Sequence, residues 1–287
     1  MDRILANFSD YAAITVFAVT YFGVAIGGIP GLALDRTGIA LLGAIAMVAT
    51  GALSMPEALH AIDASTVLLL YALMVISAQF RVGGFYTWTA LKLGRFIDRE
   101  RLFLLIVMLV TAILSALLVN DVVCLAFTPV LAMSLLRSGL NPIPYLIGMA
   151  AASNIGSAAT IIGNPQNMLI GQMGRLDFGA FLGWCLAPSL VSLIGAYSII
   201  LLIYRKRLRQ AHLPQPVAAA DWPSFNRRQS IKGLLATAIL IALFFTHIPR
   251  ELTALTIAGL LLCSRQMRTL DMLKHVNWHV ITLFCGL

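Results

Sequence analysis

Two groups of polar residues interrupt the apolar sequence of this chain, and each has the residue types of a binding site. The first is the pair Asn120 and Asp121 in LLVNDVVCLAFTPV, with about eighteen mostly apolar residues on either side. A carboxylate at lipid depth costs roughly 3 kcal/mol on insertion scales, and such residues are retained where they line a polar cavity, pair with a cation or relay protons. The pair therefore indicates a direct or neighbouring role in binding an ion or a substrate.

A structural role is the alternative for the same pair, and the two roles are compatible. If residues 102–119 and 122–137 form a helical hairpin, Asn120 and Asp121 lie at its tip. Short polar side chains at that position can cap the free N–H groups at the start of the second arm. Pro129 is expected to kink or loosen that arm.

The second group is the stretch ASNIGSAATIIGNPQNMLIG, residues 152–171. The residues from 142 to 153 suit a helix, but Asn154 and Gly156 permit the backbone to leave helical geometry. Three Asn, one Gln and one Pro within fourteen positions are more than a packing face of small residues requires. Such a packing face, which lets two helices approach closely, remains the structural alternative.

Later in this stretch, Gly163 and Asn164 permit a second departure from helical geometry, and Pro165 fits the first turn of a new helix with Asn164 as its N-cap. The stretch therefore predicts one transmembrane helix that is broken in its middle. Unwound backbone at that depth must be buried in protein or line a water-filled cavity. The N-terminus of the second half-helix would favour an anion there.

The first half-helix would offer carbonyl oxygens to the same cavity. Together with the side chains of Asn154, Ser157 and Thr160, these oxygens can coordinate Na+ or hold water. Gln166 and Asn167 follow the break and are expected near it. The residues permit an anion site and a cation site alike.

The elements that must position these residues are membrane helices. The chain has 287 residues, of which 60% are hydrophobic and 11% charged, and its mean hydropathy is +0.90. Too few polar side chains remain to cover a water-soluble globule. Apolar stretches of the length that crosses a bilayer are predicted near 11–29, 37–53, 64–80, 178–204 and 231–247, with a shorter one at 251–264 and a paired or broken region across 102–171.

The net charge of +8 is distributed as a topology signal, which does not favour a nucleic-acid partner. If the spans alternate, 17 of the 20 Lys and Arg residues fall on one side. The positive-inside rule makes that side cytoplasmic, so the N-terminus is predicted to face out. The basic, proline-containing stretch 205–230 is then a cytoplasmic linker, in a multi-pass protein of a bacterial-type inner membrane.

A faint internal repeat appears when the sequence is shifted by 214 positions, pairing residues near 40–73 with residues near 254–287. An odd number of crossings separates the two copies, so the second would be inverted, as in many secondary transporters. We expect a first transmembrane repeat at 1–204, the linker at 205–230, and the truncated start of a second repeat at 231–287. Candidate partners are a missing C-terminal half or a second copy in a homodimer.

The two polar motifs resemble those of the ion transporter superfamily, which groups citrate and other divalent-anion permeases, arsenite efflux permeases and type D sodium/proton antiporters. NDVVCLAFTPV at 120–130 and NIGSAATIIGNPQNMLIG at 154–171 carry the resemblance. It covers roughly residues 10–204 and the start of the second copy. It implies an all-α inverted-repeat transporter in which a re-entrant hairpin and a broken helix of each repeat meet near the midplane and work by alternating access.

The resemblance also implies which residues form the first half of the site. With Gly163 from the second turn of the break, the candidate substrate- or ion-binding residues are Asn120, Asp121, Asn154, Gly156, Ser157, Thr160, Gly163, Asn164 and Asn167. Many relatives have Pro-Pro after the second glycine turn, whereas this chain has Pro165-Gln166.

These observations favour a secondary active transporter of a small anion, a carboxylate or an oxyanion, coupled to Na+ or H+. The alternatives are a Na+/H+ antiporter or an arsenite-type efflux permease that uses Asp121, and a membrane subunit that does not transport. An intramembrane enzyme is not expected, because the sequence has no HExxH, no GxSxG and no paired intramembrane aspartates. No cofactor and no resident metal are expected beyond a coupling ion.

Overall fold

A computed structural model describes residues 2–28, 31–205, 223–264 and 268–287, with side chains from residue 11 onward. Within these ranges the chain forms helices and no strand, which confirms the all-α prediction. The helices are α1 (Asp2–Ile26), α2 (Arg36–Ala49), α3 (Met55–Ala61), α4 (Ala64–Val82), α5 (Phe85–Leu93), α6 (Glu100–Leu117), α7 (Asn120–Arg137), α8 (Ile143–Ser157), α9 (Pro165–Met173), α10 (Phe178–Tyr204), α11 (Arg227–Phe244), α12 (Arg250–Leu262), α13 (Thr269–Leu273) and α14 (Trp278–Gly286), with a short 3-10 turn at Gly94–Phe96.

Four of these helices, α4, α6, α7 and α10, are long and apolar enough to cross a bilayer. α1 from Tyr11 onward and α2 are shorter apolar helices. The chain is therefore an all-α, multi-pass membrane protein. Because both α6 and α7 have 18 residues, each arm of the predicted hairpin is long enough to span, and the re-entrant geometry stays a prediction.

The chain divides into two compact units, of which the smaller comprises residues 1–67 and 277–287. In this unit α2 packs against α1 and α14. The Asp35 side chain caps α2 by accepting a hydrogen bond from the Gly38 amide at 2.8 Å. α3 begins with a capping box, because Ser54 and Glu57 each accept a hydrogen bond from the other's backbone amide.

The larger unit comprises residues 68–276 and contains the candidate site. Its most extensive helix pair is α6 with α8, and α8 also packs against α7 and α10. Gly148 and Gly156 bring α8 close to α6, since a Cβ at Gly148 would lie 2.8 Å from Leu104 Cδ1 and one at Gly156 would overlap the Ala112 backbone. The small residues of α8 therefore form a close-packing face toward α6, as the structural alternative predicted.

The hairpin is formed by α6 and α7, which are joined by only Leu118 and Val119. Asn120 and Asp121 are the first two residues of α7, and Val119 is its N-cap without any side-chain cap. The interpretation that Asn120 or Asp121 caps the second arm is therefore wrong. Both residues already have helical backbone, and a capping residue must precede the helix. α7 continues through Pro129 to Arg137.

The first residues of three helices repeat with the 214-residue spacing of the internal sequence repeat. α2, α3 and α4 begin at Arg36, Met55 and Ala64, and α12, α13 and α14 begin 214 residues later, at Arg250, Thr269 and Trp278. Residues 206–222, most of the predicted linker, lie outside the described residues. The division into two repeats stays a prediction that this register supports.

Candidate functional site at the broken helix

The predicted break is present between α8 and α9. α8 ends at Ser157, residues 158–164 form turns and bends, and α9 begins at Pro165. The first exit point was predicted wrongly, because Asn154 and Gly156 remain helical. Gly156 is a glycine because it contacts the α6 backbone at Ala112, not because the backbone turns there.

The start of α7 and the broken helix are joined by polar contacts. The Asn120 amide donates to the Gly163 carbonyl at 3.1 Å, and Asn120 Nδ2 donates to Asn154 Oδ1 at 3.2 Å. The Ser153 hydroxyl lies 3.4 Å from the Asn120 carbonyl and 2.9 Å from the Ser115 hydroxyl of α6. The two sequence motifs, 34 residues apart, therefore meet at one place.

A network of side-chain amides holds the shape of the break. Asn167 Nδ2 donates to the carbonyls of Ser157 and Thr160, at 3.3 and 2.9 Å. Asn164 Oδ1 accepts from the Asn167 amide at 2.8 Å, which confirms Asn164 as the N-cap of α9. Asn164 Nδ2 also donates to the Ser157 hydroxyl at 3.2 Å. Asn164 and Asn167 thus satisfy backbone groups that the break exposes.

Gly163 belongs to the same close-packed turn. A Cβ at this position would overlap the backbone of Ser157, and the Gly163 carbonyl accepts the hydrogen bond from Asn120. Gly163 therefore allows the return of the chain toward α8. No side chain larger than hydrogen fits there without moving the backbone.

The hydroxyl groups proposed for Na+ are directed to different neighbours. Ser157 Oγ donates to the Asn154 carbonyl at 2.9 Å, whereas Thr160 Oγ1 donates to the Ala116 carbonyl of α6 at 2.6 Å. Ser157 and Thr160 are buried, at 1% and 4% exposure, while Asn154 is exposed. The structure brings Asn154 and Ser157 together and turns the Thr160 hydroxyl toward α6.

Three polar groups at this junction keep unused binding capacity. Asn120 is 8% exposed, and its Oδ1 has no hydrogen-bond partner among the described residues. The Asp121 carboxylate is half-buried and has no donor or cation partner in the same ranges. The Asn154 side chain reaches the surface. Of the residues after the break, Asn167 turns inward and Gln166 is exposed.

An open cavity of about 390 Å³ lies beside the exposed edge of the break. Asn154, Ile155 and Ala158 line one side, and α10 lines the other with Cys185, Pro188, Ser189 and Ser192. Sequence reasoning missed Ser189 and Ser192. Two serines spaced by three residues next to Pro188, in a mainly apolar helix, were the available signal, since that spacing places them on one helix face.

Comparison with known proteins identifies the family of this chain. The sequence model of the CitMHS family, described as citrate transporter, matches residues 16–287. The chain belongs to the citrate transporter family. An uncharacterised transporter of Mycobacterium tuberculosis (strain CDC 1551 / Oshkosh) is 30% identical over 96% of this chain. The chain spans 66% of the length of that relative, slightly under two thirds.

Two relatives of this citrate transporter family member carry more specific names. The silicon efflux transporter LSI3 of Oryza sativa subsp. japonica is 33% identical over 71% of the chain and 42% of its own length. The putative transporter arsB of Dictyostelium discoideum is 30% identical over 62% of the chain and 32% of its own length.

Proposed function

We propose that this protein is a secondary active transporter of a small anion, a carboxylate or an oxyanion, and that transport is coupled to Na+ or H+. The observation that carries the proposal is the meeting of the α7 start with the broken helix at Asn120 and Asn154. Irregular backbone and an unpaired carboxylate at membrane depth are the features from which transporter sites are built.

Electrostatics at the junction favour an anion. α7 and α9 both begin here, and each helix N-terminus carries the equivalent of about half a positive charge. Pro165 has no N–H group and Asn164 caps the Asn167 amide, so α9 acts mainly through its dipole. At α7 no side chain caps the first turn, but the Asn120 amide donates to the Gly163 carbonyl and the Val122 and Val123 amides donate to the Val119 carbonyl, so this end also acts mainly through its dipole.

A coupling cation would use the oxygen atoms. Asp121 supplies a carboxylate and Asn120 Oδ1 supplies an unpaired buried acceptor on the neighbouring residue. Asn154 and Ser157 add oxygens next to them, and Thr160 joins these ligands only with the lone pairs left after its bond to Ala116. We place Na+ or a transported proton in this oxygen cluster, and the anion at the helix ends.

The oxyanion class is supported by the name of one relative, a silicon efflux transporter, because silicon in water is an oxyacid whose ionised form is an oxyanion. The carboxylate class is supported by the family name, citrate transporter. The cavity beside Asn154, at about 390 Å³, has room for a solute of either class.

A second candidate function is Na+/H+ antiport or arsenite-type efflux in which Asp121 binds and releases the cation. The Asp121 carboxylate favours it, because it has no partner in the part of the chain that the structure describes, and an acid without a permanent partner is free to exchange ions.

Reconstitution into liposomes separates these functions. Accumulation of radiolabelled citrate, succinate or arsenate under an imposed Na+ or H+ gradient supports anion transport, whereas arsenite movement driven by the H+ gradient supports the arsenite-type permease. Proton flux driven by Na+ without added anion supports the antiporter. If neither flux exceeds that of empty liposomes, the protein is a membrane subunit that does not itself transport.

We further propose the setting in which transport occurs. The N-terminus faces out and residues 205–230 are cytoplasmic, in a bacterial-type inner membrane, because that orientation follows the positive-inside rule. A second inverted repeat, beginning at 231–287 and completed by further chain or by a second copy, would supply the opposite half of the site.

A further inference from the structure

A second cavity, of about 220 Å³, lies in the larger unit and includes none of the candidate site residues. Arg81 at the end of α4, the first turn of α5, the α7 segment around Pro129, and His275 line it. By the positive-inside rule, the Arg81 end of α4 and the loop that carries His275 lie on the cytoplasmic side.

The charged side chains around this cavity give it a positive potential. Arg81 has no carboxylate partner among the described residues. Burial, and then the charge of Arg81, hold the pKa of the His275 imidazole below its usual range, with Lys274 acting in the same direction and Asp271 opposing it. Asp271 is itself paired with Lys274 at 3.2 Å. The nearby acid is therefore already engaged, and no acidic side chain lines the cavity among the described residues.

Neutral hydrogen-bond donors face the same space. α5 begins after Gly84, which has a φ of 68° and provides no side-chain cap, so within the described residues the first-turn amides of α5 are uncapped. Thr87 in this turn lines the cavity with its hydroxyl-bearing side chain. Tyr86 also lines it, but its buried hydroxyl is directed to the Ser77 hydroxyl and is not one of these donors. A positive helix end and unpaired donors suit an anion.

We propose that this cavity is an accessory anion-binding site that holds a carboxylate or phosphate group. Arg81 pairs with the anion, the α5 amides and Thr87 donate hydrogen bonds to it, and His275 in its protonated form adds a second positive charge. The group belongs either to a free solute on the cytoplasmic side or to the headgroup of an anionic lipid. The site is separate from the Asn120 and Asn154 junction and does not depend on the function proposed for that junction.

The imidazole of His275 is a direct reporter for this site. The full chain, labelled with 15N-histidine, is placed in phosphatidylcholine nanodiscs, and the His275 resonance is assigned with the variant His275→Gln. Its pKa is then measured without added anion, with inorganic phosphate, and in discs that contain phosphatidylglycerol, all at the same ionic strength with NaCl. A bound anion next to the ring is expected to raise the pKa of His275 by about 1.

Matched variants identify the residues responsible. Arg81→Gln is expected to abolish the anion-dependent rise, and to raise the anion-free pKa of His275 because a repelling charge is removed. Arg95→Gln removes the same charge at an exposed position outside the cavity and is expected to keep the full rise. Thr87→Val, which leaves both cations in place, is expected to reduce the rise. Asn120→Ala is expected to leave the anion-dependent rise in the His275 pKa unchanged.

Each result supports or overturns the proposal. A rise with phosphate identifies a soluble anion, and a rise only with phosphatidylglycerol identifies a lipid headgroup. A His275 pKa that is the same in all three media overturns the site. An anion-dependent rise in the His275 pKa that is equal in Arg81→Gln and wild type also overturns the site. If Arg81→Gln does not fold, an equal rise in Thr87→Val and wild type overturns it.

Discussion

At the scale of single residues, Asp121 is the group on which ion coupling is expected to depend. Its carboxylate is half-buried next to the unpaired Asn120 Oδ1 and has no counter-charge in the described ranges. Asp121→Asn keeps the shape and removes the charge. We predict that gradient-driven uptake into liposomes falls at least about tenfold, which corresponds to about 1.4 kcal/mol of lost interaction with the cation.

Asp98→Asn is the matched control for this prediction, because Asp98 is exposed and lies between α5 and α6. It is expected to retain uptake. Equal uptake by wild type and Asp121→Asn would exclude Asp121 from coupling and favour a structural role for this acid.

Gly156 provides a second residue-scale prediction, this one on stability. An added Cβ would overlap the Ala112 backbone, so we expect Gly156→Ala to lower the free energy of unfolding by about 1–3 kcal/mol. Gly195→Ala in α10 is the control, because nothing lies within 4 Å of an added Cβ there. That change should be neutral or stabilising, since Ala is the better helix former. The midpoints of thermal unfolding in detergent are measured for Gly156→Ala and Gly195→Ala. Equal midpoints would contradict the close approach of α8 to α6.

The sequence allowed the candidate site to be located, but its internal geometry could not be predicted. Asn120, Asp121 and the break were found because polar residues are costly at lipid depth. The role of Gly156 was misread, because a glycine needed for close packing and one needed for a turn look alike without the neighbouring helix. Ser189 and Ser192 were missed because they come from α10, whose position beside the break depends on tertiary packing.

At the scale of elements, the start of α9 depends on Asn164. Its side chain accepts from the Asn167 amide and donates to Ser157, so it joins the two halves of the break. We predict that Asn164→Ala destabilises the start of α9 by about 1 kcal/mol, which is about a fivefold faster hydrogen exchange at residues 166–168. Asn164→Ser keeps a capping oxygen and should stay close to wild type. Unchanged exchange in Asn164→Ala would show that the cap does not hold the break.

Helix order and most helix positions could be predicted from apolar length, and Asn164 with Pro165 gave the start of α9 correctly. The end of α8 could not be predicted, because Asn154 contacts α7 and Gly156 contacts α6, and local propensity does not include these contacts. The repeat was visible in sequence only as a faint echo. Three helices of the first copy each have a counterpart that begins 214 residues later, and this register makes the repeat much more specific.

At the scale of the whole molecule, the orientation in the membrane is the first property to test. In a cysteine-free background, Arg228→Cys should react with a membrane-impermeant maleimide only after the inner face is exposed. Arg175→Cys should react in intact cells. Both positions are exposed, Arg228 in the first turn of α11 and Arg175 between α9 and α10. The reverse pattern would invert the proposed topology.

The proposed transport requires that the exposed edge of the break, at Asn154 and Ala158, lines a solute pathway. Ala158 is exposed, lies at the start of the break and lines the cavity with Asn154, whereas Leu186 is 43% exposed on the neighbouring, apolar α10 and is absent from that cavity's lining. The decisive measurement is the rate at which Ala158→Cys and Leu186→Cys, each in a cysteine-free background, react with a small water-soluble thiol reagent. We predict fast labelling of Ala158→Cys, slowed by the transported anion together with its cation, and little labelling of Leu186→Cys. An unreactive Ala158→Cys in the folded protein would contradict the account.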